Sequence, residues 1–143
     1  MKEYKIEIKI NASKETVWKT ITNFKEYPNW NTILEMEQNE DLVVGKKFKV
    51  TIYNPKGKKS KFNATTMHRE DNVSFSATQK IIGKWFFSAT HYFIIREIDK
   101  EHVVFIQKWK LRGLITSLFY KQICKELKSF NAMNTELKTV LEK

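Results

Sequence analysis

The sequence predicts an α+β domain in which a curved seven-stranded antiparallel sheet, two short helices and a long C-terminal helix enclose a cavity. Three observations predict this fold. Residues 3–10 alternate apolar with charged side chains, residues 32–112 return to the same period of two in six segments, and residues 114–142 carry apolar side chains at helical spacing. Strands joined by short turns pair antiparallel, and a large sheet curls because its strands twist. A helix that crosses the concave face of such a sheet cannot fill it, so a cavity remains between the helix and the sheet.

Length and composition favour one folded domain covering residues 1–143. The chain shows no internal repeat, linker or change in composition, and its 143 residues are close to the usual size of a domain. Aromatic residues make up 13% of the chain, which excludes the disordered class because such chains lack apolar bulk. The formal net charge of +10 predicts attraction to anionic partners but says nothing about the fold.

The sequence also indicates a compartment. No apolar run approaches the roughly 18 residues of a membrane span, and the N-terminus lacks the hydrophobic segment of a signal peptide. Cys124 is the single cysteine, so no internal disulfide can form and a reducing environment is expected. We therefore expect a cytoplasmic protein.

The first elements are a strand and two short helices. In the strand over residues 3–10, one face carries Tyr4, Ile6, Ile8 and Ile10. Ser13 then suits the N-cap of a helix, because its hydroxyl can accept a bond from a free backbone N–H of the first turn. Pro28 prevents regular continuation, so a second short helix or turn is expected over Phe24–Trp30.

Six strands are expected next, separated by turns at residues 54–57, 70–72 and 99–101. The predicted strands are 32–38, 46–54, 60–69, 72–79, 84–97 and 102–112. The last two strands alternate most clearly, and their apolar faces should point inward. These faces carry Phe87, Ala89, His91, Phe93 and Ile95 on the first strand and Val103, Phe105, Gln107, Trp109 and Leu111 on the second.

The final segment predicts one long helix over residues 114–142. Its apolar stripe runs from Ile115 to Leu141, and lysines occupy the other side. At the rise of an α-helix this segment is about 40 Å long, so it must cross the sheet.

Three stretches, in this order and spacing, resemble the START/Bet v 1-like superfamily. They are I-x-A-S-K-E-T-V-W-K-T-I-T-N-F-K-E-Y-P-N-W-N from Ile10, Ala89-Thr90-His91-Tyr92-Phe93, and Gln107-x-Trp109-x-x-x-Gly113-Leu114 followed by a helix ending Phe130-Asn131-Ala132-Met133-Asn134-x-x-Leu137-Lys138. Within that superfamily of helix-grip (SRPBCC) proteins, the pattern is most similar to polyketide cyclase/dehydrase-type members. The resemblance covers essentially the whole chain. It implies a pocket for a lipid, polyketide-like, aromatic or other hydrophobic molecule more than it implies a particular reaction.

Aromatic side chains predicted to face inward form the candidate ligand site. Ordinary core packing explains each one alone, but together they line a hollow that the fold cannot close, and such a site is mostly apolar with a few polar groups. The candidate residues are Trp30, Phe48, Phe75, Phe93, Phe105, Trp109 and Phe119, with Ile123 from the long helix.

His91 and Gln107 are the candidate polar groups of that site. Both share the apolar face of neighbouring strands, and a buried imidazole or amide without a partner costs about 1–3 kcal/mol. One interpretation is that they bond to each other, to the backbone or to a water molecule. The other is that they bind a carbonyl or hydroxyl of a ligand.

An enzymatic alternative is a cyclase or dehydratase in which His91 is the acid or base and Gln107 orients the substrate. Glu35 and Glu37 are expected near the cavity rim, and the sequence leaves open which way their side chains face. Cys124 is interpreted as a small buried thiol without an adjacent base. The histidines at 68, 91 and 102 lack the spacing of metal ligands. We expect no metal and no cofactor.

Lys56, Lys58, Lys59 and Lys61 form the densest basic cluster, at the tip of a predicted hairpin. A solvated turn explains it, and docking to an anionic membrane is the alternative, with about 1 kcal/mol for each basic group near the surface. Nucleic acid is not favoured because the cluster lacks interleaved aromatic residues. The sequence thus predicts binding, sequestration or transfer of a small hydrophobic or amphipathic ligand, with the enzyme and a basic partner- or membrane-docking module as alternatives.

Overall fold

The computed structural model describes residues 1–37, 42–54, 56–81 and 87–143. The strands in the described part are β1 (Lys2–Ile10), β2 (Leu34–Glu37), β3 (Lys47–Tyr53), β4 (Lys59–Glu70), β5 (Ser74–Ile81), β6 (Phe87–Asp99) and β7 (His102–Arg112). The helices are α1 (Lys14–Thr22), α2 (Tyr27–Trp30), α3 (Leu114–Leu127) and α4 (Asn131–Leu141), with 3₁₀ turns at Phe24–Glu26 and Lys128–Phe130.

The strands form a single antiparallel sheet in the order β1-β7-β6-β5-β4-β3-β2 across the described residues. The first strand thus closes against the last one, with Ile6 paired to Gln107. This arrangement confirms the predicted seven-stranded antiparallel sheet. The predicted bounds 102–112 are those of β7, whereas residue 38 and residues 84–86 of two predicted strands, and Pro55 of the first predicted turn, lie outside the described part.

The first helix begins where its cap predicts. Oγ of Ser13 accepts a hydrogen bond from the backbone N–H of Thr16 at 3.2 Å, and Glu15 lies in the first turn. After the 3₁₀ turn, Pro28 occupies the start of α2, where a missing backbone N–H costs nothing. The Tyr27 hydroxyl donates to the carbonyl oxygen of Ile21 and ties α2 to α1.

The long C-terminal helix is present, but it is interrupted. Phe119 has φ −124° and ψ 24° inside α3, and the 3₁₀ turn Lys128–Phe130 separates α3 from α4. At that turn the Ser129 hydroxyl donates to the Glu126 carbonyl, and the Asn131 amide donates to the Lys128 carbonyl. Such local side-chain bonds compete with the regular helical ladder, which accounts for the break.

The two halves of the C-terminal helix differ in burial. On α4, Met133, Asn134 and Leu137 are buried, and this half packs on β1. On α3, only Thr116 is buried. The sheet is therefore sealed beneath α4, while a space remains between the concave face and α3.

Candidate functional site

A cavity of about 610 Å³ lies between the concave face of strands β2 to β7 and α3. Its wall is mostly apolar, as expected of a small-molecule site, and this volume is within the usual range of such sites. The lining residues are Leu34, Met36, Phe48, Val50, Ile52, Asn54, Lys56, Ser60, Phe62, Ala64, Ala77, Gln79, Phe87, Ala89, His91, Phe93, Trp109, Leu111, Gln122, Ile123, Lys125, Glu126, Leu127, Ser129 and Phe130.

The imidazole of His91 lies in a stack of aromatic rings on the cavity floor. Its ring centroid is 4.0 Å from that of Phe93 and 4.3 Å from that of Trp109, with near-parallel planes. Phe130 meets the same imidazole edge-on at 5.3 Å. Because both faces of the imidazole are covered, only its edge is available for polar contacts.

A buried hydrogen-bonded chain continues from His91 into the core. Nε2 of His91 lies 2.8 Å from Oε1 of Gln107, and Nε2 of Gln107 donates to Oδ1 of Asn134 at 2.7 Å. Nδ2 of Asn134 is buried and has no hydrogen-bond partner among the described residues. The interpretation that His91 and Gln107 bond to each other is therefore correct, and the chain has a third member.

Burial decides the protonation state of His91. Removal from water disfavours the charged ring and lowers the pKa of His91 to about 3, while the hydrogen bond between His91 and Gln107 opposes this change only in part. The imidazole is therefore neutral at physiological pH. Since Oε1 of Gln107 can only accept, the proton of that neutral ring resides on Nε2, and Nδ1 is an acceptor.

The mouth of the cavity is polar. Asn54, Lys56 and Ser60 contribute to it from the β3–β4 turn and the start of β4, and Lys125 and Glu126 contribute from α3. All five are exposed. The site therefore combines an apolar body, a neutral polar floor and a charged rim.

Half of the candidate ligand residues line the cavity. These are Phe48, His91, Phe93, Trp109 and Ile123. Four others lie in the surrounding core and are absent from the wall, namely Trp30, Phe75, Phe105 and Gln107.

The core positions have clear packing reasons. Phe75 stacks on Phe93 at 4.4 Å and meets Trp18 edge-on at 5.9 Å, so the end of the sheet beneath α1 is filled with aromatic rings. Trp30 packs edge-on against Tyr27 at 5.0 Å. These side chains support the cavity wall without forming its surface.

The placement of Phe119 is a correction. Its side chain is 54% exposed and does not line the cavity. Leu118, which precedes it in the predicted apolar stripe, is also exposed, so this part of the stripe is not buried against the sheet.

Glu35 and Glu37 also lie away from the cavity interior. Leu34 and Met36 line the wall, and side chains alternate along β2, so both carboxylates project from the opposite face. Glu35 accepts a hydrogen bond from the Tyr53 hydroxyl at 2.8 Å, which raises the pKa of Tyr53.

Cys124, His68 and His102 lie in separate parts of the structure. Cys124 is a free, half-buried thiol, and the pKa of the neighbouring Tyr120 is raised chiefly by their side-chain hydrogen bond. His68 lies 3.0 Å from the Ser74 hydroxyl, and His102 lies 2.7 Å from Asp99. Among the described residues no group of three or more His, Cys, Asp or Glu side chains is arranged to hold a metal ion.

Asn134 and the apolar wall of β2 to β4 are the parts of the site that the sequence pattern did not predict. Asn134 follows Met133 and precedes Leu137 within the buried stripe of the last helix, so a polar residue in that stripe was the available signal. The wall residues Val50, Ile52, Phe62 and Ala64 continue the inward pattern of their strands. The sequence does not show which part of the sheet α3 leaves uncovered, so it could not predict that these residues line the cavity.

Comparison with known structures identifies the fold. No protein-family model matches the sequence, and no curated protein matches it. A START superfamily protein from Mycobacterium smegmatis superposes with a TM-score of 0.70 at 14% identity, covering 98% of this chain and 97% of the other. The chain has the helix-grip fold.

Two further structures share this helix-grip architecture. A norcoclaurine synthase point mutant from Thalictrum flavum, in complex with a transition-state analogue, superposes with a TM-score of 0.73 at 13% identity over 98% of this chain and 93% of that one. The di-domain ARO/CYC protein BexL, from the BE-7585A biosynthetic pathway, has a TM-score of 0.72 at 11% identity over 99% of this chain and 47% of its own length. At these identities the helix-grip likeness concerns the fold. None of the helices described here is long and apolar enough to cross a membrane.

Proposed function

We propose that this protein binds a small hydrophobic or amphipathic molecule in its internal cavity and sequesters or transfers it without chemical change. The observation that carries the proposal is the apolar cavity of about 610 Å³ on the concave face of the sheet. An unfilled apolar volume forfeits packing that the protein would otherwise gain, so a lipophilic guest is the natural occupant.

The similar structures agree with this proposal at the level of fold. Norcoclaurine synthase carries a transition-state analogue, and another structure of that enzyme contains dopamine and hydroxybenzaldehyde. A helix-grip scaffold thus accommodates small organic molecules. This likeness supports a guest in the cavity but does not identify it.

His91, Glu35 and Glu37, the candidate acid–base groups of the cyclase-type alternative, are poorly placed or poorly suited for that chemistry. A general acid must be protonated near the working pH, and the pKa of His91 is lowered to about 3. The same low pKa makes His91 a weak base, and Glu35 and Glu37 project from the other face of β2. We therefore assign His91 to ligand binding.

The lysine hairpin, defined by Lys56, Lys58, Lys59 and Lys61, supports a second proposal, in which the protein contacts anionic membranes during exchange of its cargo. All four lysines are exposed, and Lys56 also lines the cavity mouth. Flotation with vesicles containing phosphatidylserine should recover the protein at low salt and release it at high salt. Absence from the vesicle fraction at low salt would exclude this contact.

Filling the cavity tests the main proposal. Ala77 and Ala89 line the wall, so Ala77→Leu and Ala89→Leu should each weaken binding of the neutral fluorescent probe N-phenyl-1-naphthylamine at least several-fold. Ala132→Leu, on the exposed side of α4, is the matched control and should leave probe binding unchanged. Equal probe affinity in all four proteins would contradict the proposal, and mass spectrometry of an organic extract provides an independent search for a bound lipophile.

A further inference from the structure

The hydrogen-bond direction on the cavity floor restricts the chemistry of the ligand. Gln107 donates its amide N–H to Asn134 and therefore presents its oxygen to His91. Because a carbonyl oxygen accepts only, Nε2 of His91 must donate. The remaining ring nitrogen, Nδ1, is an acceptor and cannot donate while the ring is neutral.

Nδ1 of His91 is a polar atom that the floor offers to a guest. No described residue forms a hydrogen bond with this nitrogen. It does not belong to the fully buried polar atoms that lack a partner, so part of its surface is accessible. His91 lines the cavity, and Phe93 and Trp109 cover the two faces of its ring. The accessible edge therefore accepts a hydrogen bond from the cavity side, and a ligand hydroxyl is the matching donor.

The rim selects a different chemical group. Lys56 and Lys125 approach the mouth from the β3–β4 turn and from α3, and no described residue forms an ion pair with either of them. Glu126 is the acidic side chain at the described rim, so cations are in excess there. Exposed ammonium groups at an apolar mouth favour an anionic end group that remains hydrated.

We propose that the ligand is an amphipathic hydroxy acid: its hydroxyl donates to Nδ1 of His91, its apolar body fills the cavity, and its carboxylate lies between Lys56 and Lys125 at the mouth. This inference rests on the proposed ligand-binding function. It specifies the polar group at each end of the ligand: a hydrogen-bond donor at the cavity floor and an anion at the rim.

A matched ligand series tests the floor. Calorimetric titrations compare ω-hydroxy and ω-methoxy fatty acids of equal chain length, from octanoate to hexadecanoate, because the methoxy group cannot donate. The hydroxy acid should bind about 3- to 10-fold more tightly, the usual effect of one neutral hydrogen bond. In His91→Phe, which keeps an aromatic ring in the stack, the two ligands should bind equally.

The same titrations test the rim with charge-matched variants. The native protein should bind the hydroxy acid more tightly than the diol of equal chain length, in which a hydroxyl replaces the carboxylate. Lys56→Gln/Lys125→Gln should remove this preference. Lys58→Gln/Lys121→Gln removes the same charge from the same two elements at positions that do not line the cavity, and it should retain the preference.

The outcomes separate this inference from the proposed function. Equal affinity for hydroxy and methoxy acids, or an unchanged acid preference in Lys56→Gln/Lys125→Gln, would overturn the hydroxy-acid assignment. So would failure of every acid to bind while N-phenyl-1-naphthylamine still binds, and in that case the ligand-binding function stands. Failure of the neutral probe as well would overturn both. The ligand comparison uses the native protein, so it remains decisive if His91→Phe does not fold.

Discussion

Nε2 of His91 donates a hydrogen bond of 2.8 Å to Oε1 of Gln107, and this contact joins the cavity floor to the buried core. The bond holds a neutral imidazole with one tautomer. Burial of the ring, and not this bond, disfavours its protonation.

The first prediction concerns stability against pH. In the unfolded chain His91 has an ordinary pKa near 6.5, whereas in the folded protein its pKa is about 3. Between these values the unfolded state binds more protons, so the free energy of unfolding falls as pH falls, by up to about 1.4 kcal/mol per pH unit. Urea denaturation at several pH values measures the slope. His91→Phe should reduce this slope between pH 6 and 4, and an identical slope would show that His91 is not buried neutral.

The second prediction concerns the tautomer. A ¹⁵N-labelled sample should show His91 as a neutral ring protonated on Nε2, with no titration across pH 5 to 8, because burial and Gln107 hold that state. A proton found on Nδ1 would reverse the hydrogen-bond direction along the floor.

The third prediction concerns Gln107, whose side chain is fully buried. Gln107→Leu leaves the His91 N–H and the Asn134 amide oxygen without partners, so it should destabilise the fold by about 2–4 kcal/mol. Gln122→Leu is the control, since Gln122 is exposed on α3 and surface changes usually stay within about 0.5 kcal/mol. Equal urea midpoints for the two variants would mean that the buried chain adds nothing to stability.

The fourth prediction separates two apolar residues on α3. Ile123 lines the cavity, whereas Phe119 is 54% exposed and does not. Ile123→Ala should weaken binding of N-phenyl-1-naphthylamine by several-fold because it removes contact area, and Phe119→Ala should leave the affinity unchanged. Fluorescence titration measures both variants. A larger loss for Phe119→Ala would place its ring at the cavity after all.

The strand pattern of the sequence predicts most of the fold because burial imposes a strict period of two. The inward positions of β7, from Val103 to Leu111, are all buried as predicted. The same pattern places His91 and Gln107 together, since neighbouring strands share one concave face.

The rest of the candidate site depends on how α3 and α4 pack against distant parts of the chain, which the periodicity of the sequence does not show. The helical stripe assigns Phe119 to the interior, but Leu118 and Phe119 are both exposed because α3 does not bury this part of its stripe against the sheet. Asn134 joins the buried chain because α4 seals against β1, a packing choice between distant parts of the chain. The cavity mouth likewise depends on the distance between the β3–β4 turn and α3, which sequence separation does not give.

The unequal burial of α3 and α4 predicts different local stabilities for the two halves of the terminal helix. Because α4 buries Met133, Asn134 and Leu137 whereas α3 buries Thr116, we expect α3 to open locally more readily than α4. Amide protons of α3 should therefore exchange with solvent through local opening, whereas those of α4 wait for global unfolding. The 3₁₀ turn at Lys128–Phe130 should then mark the boundary between the two classes of amide protons.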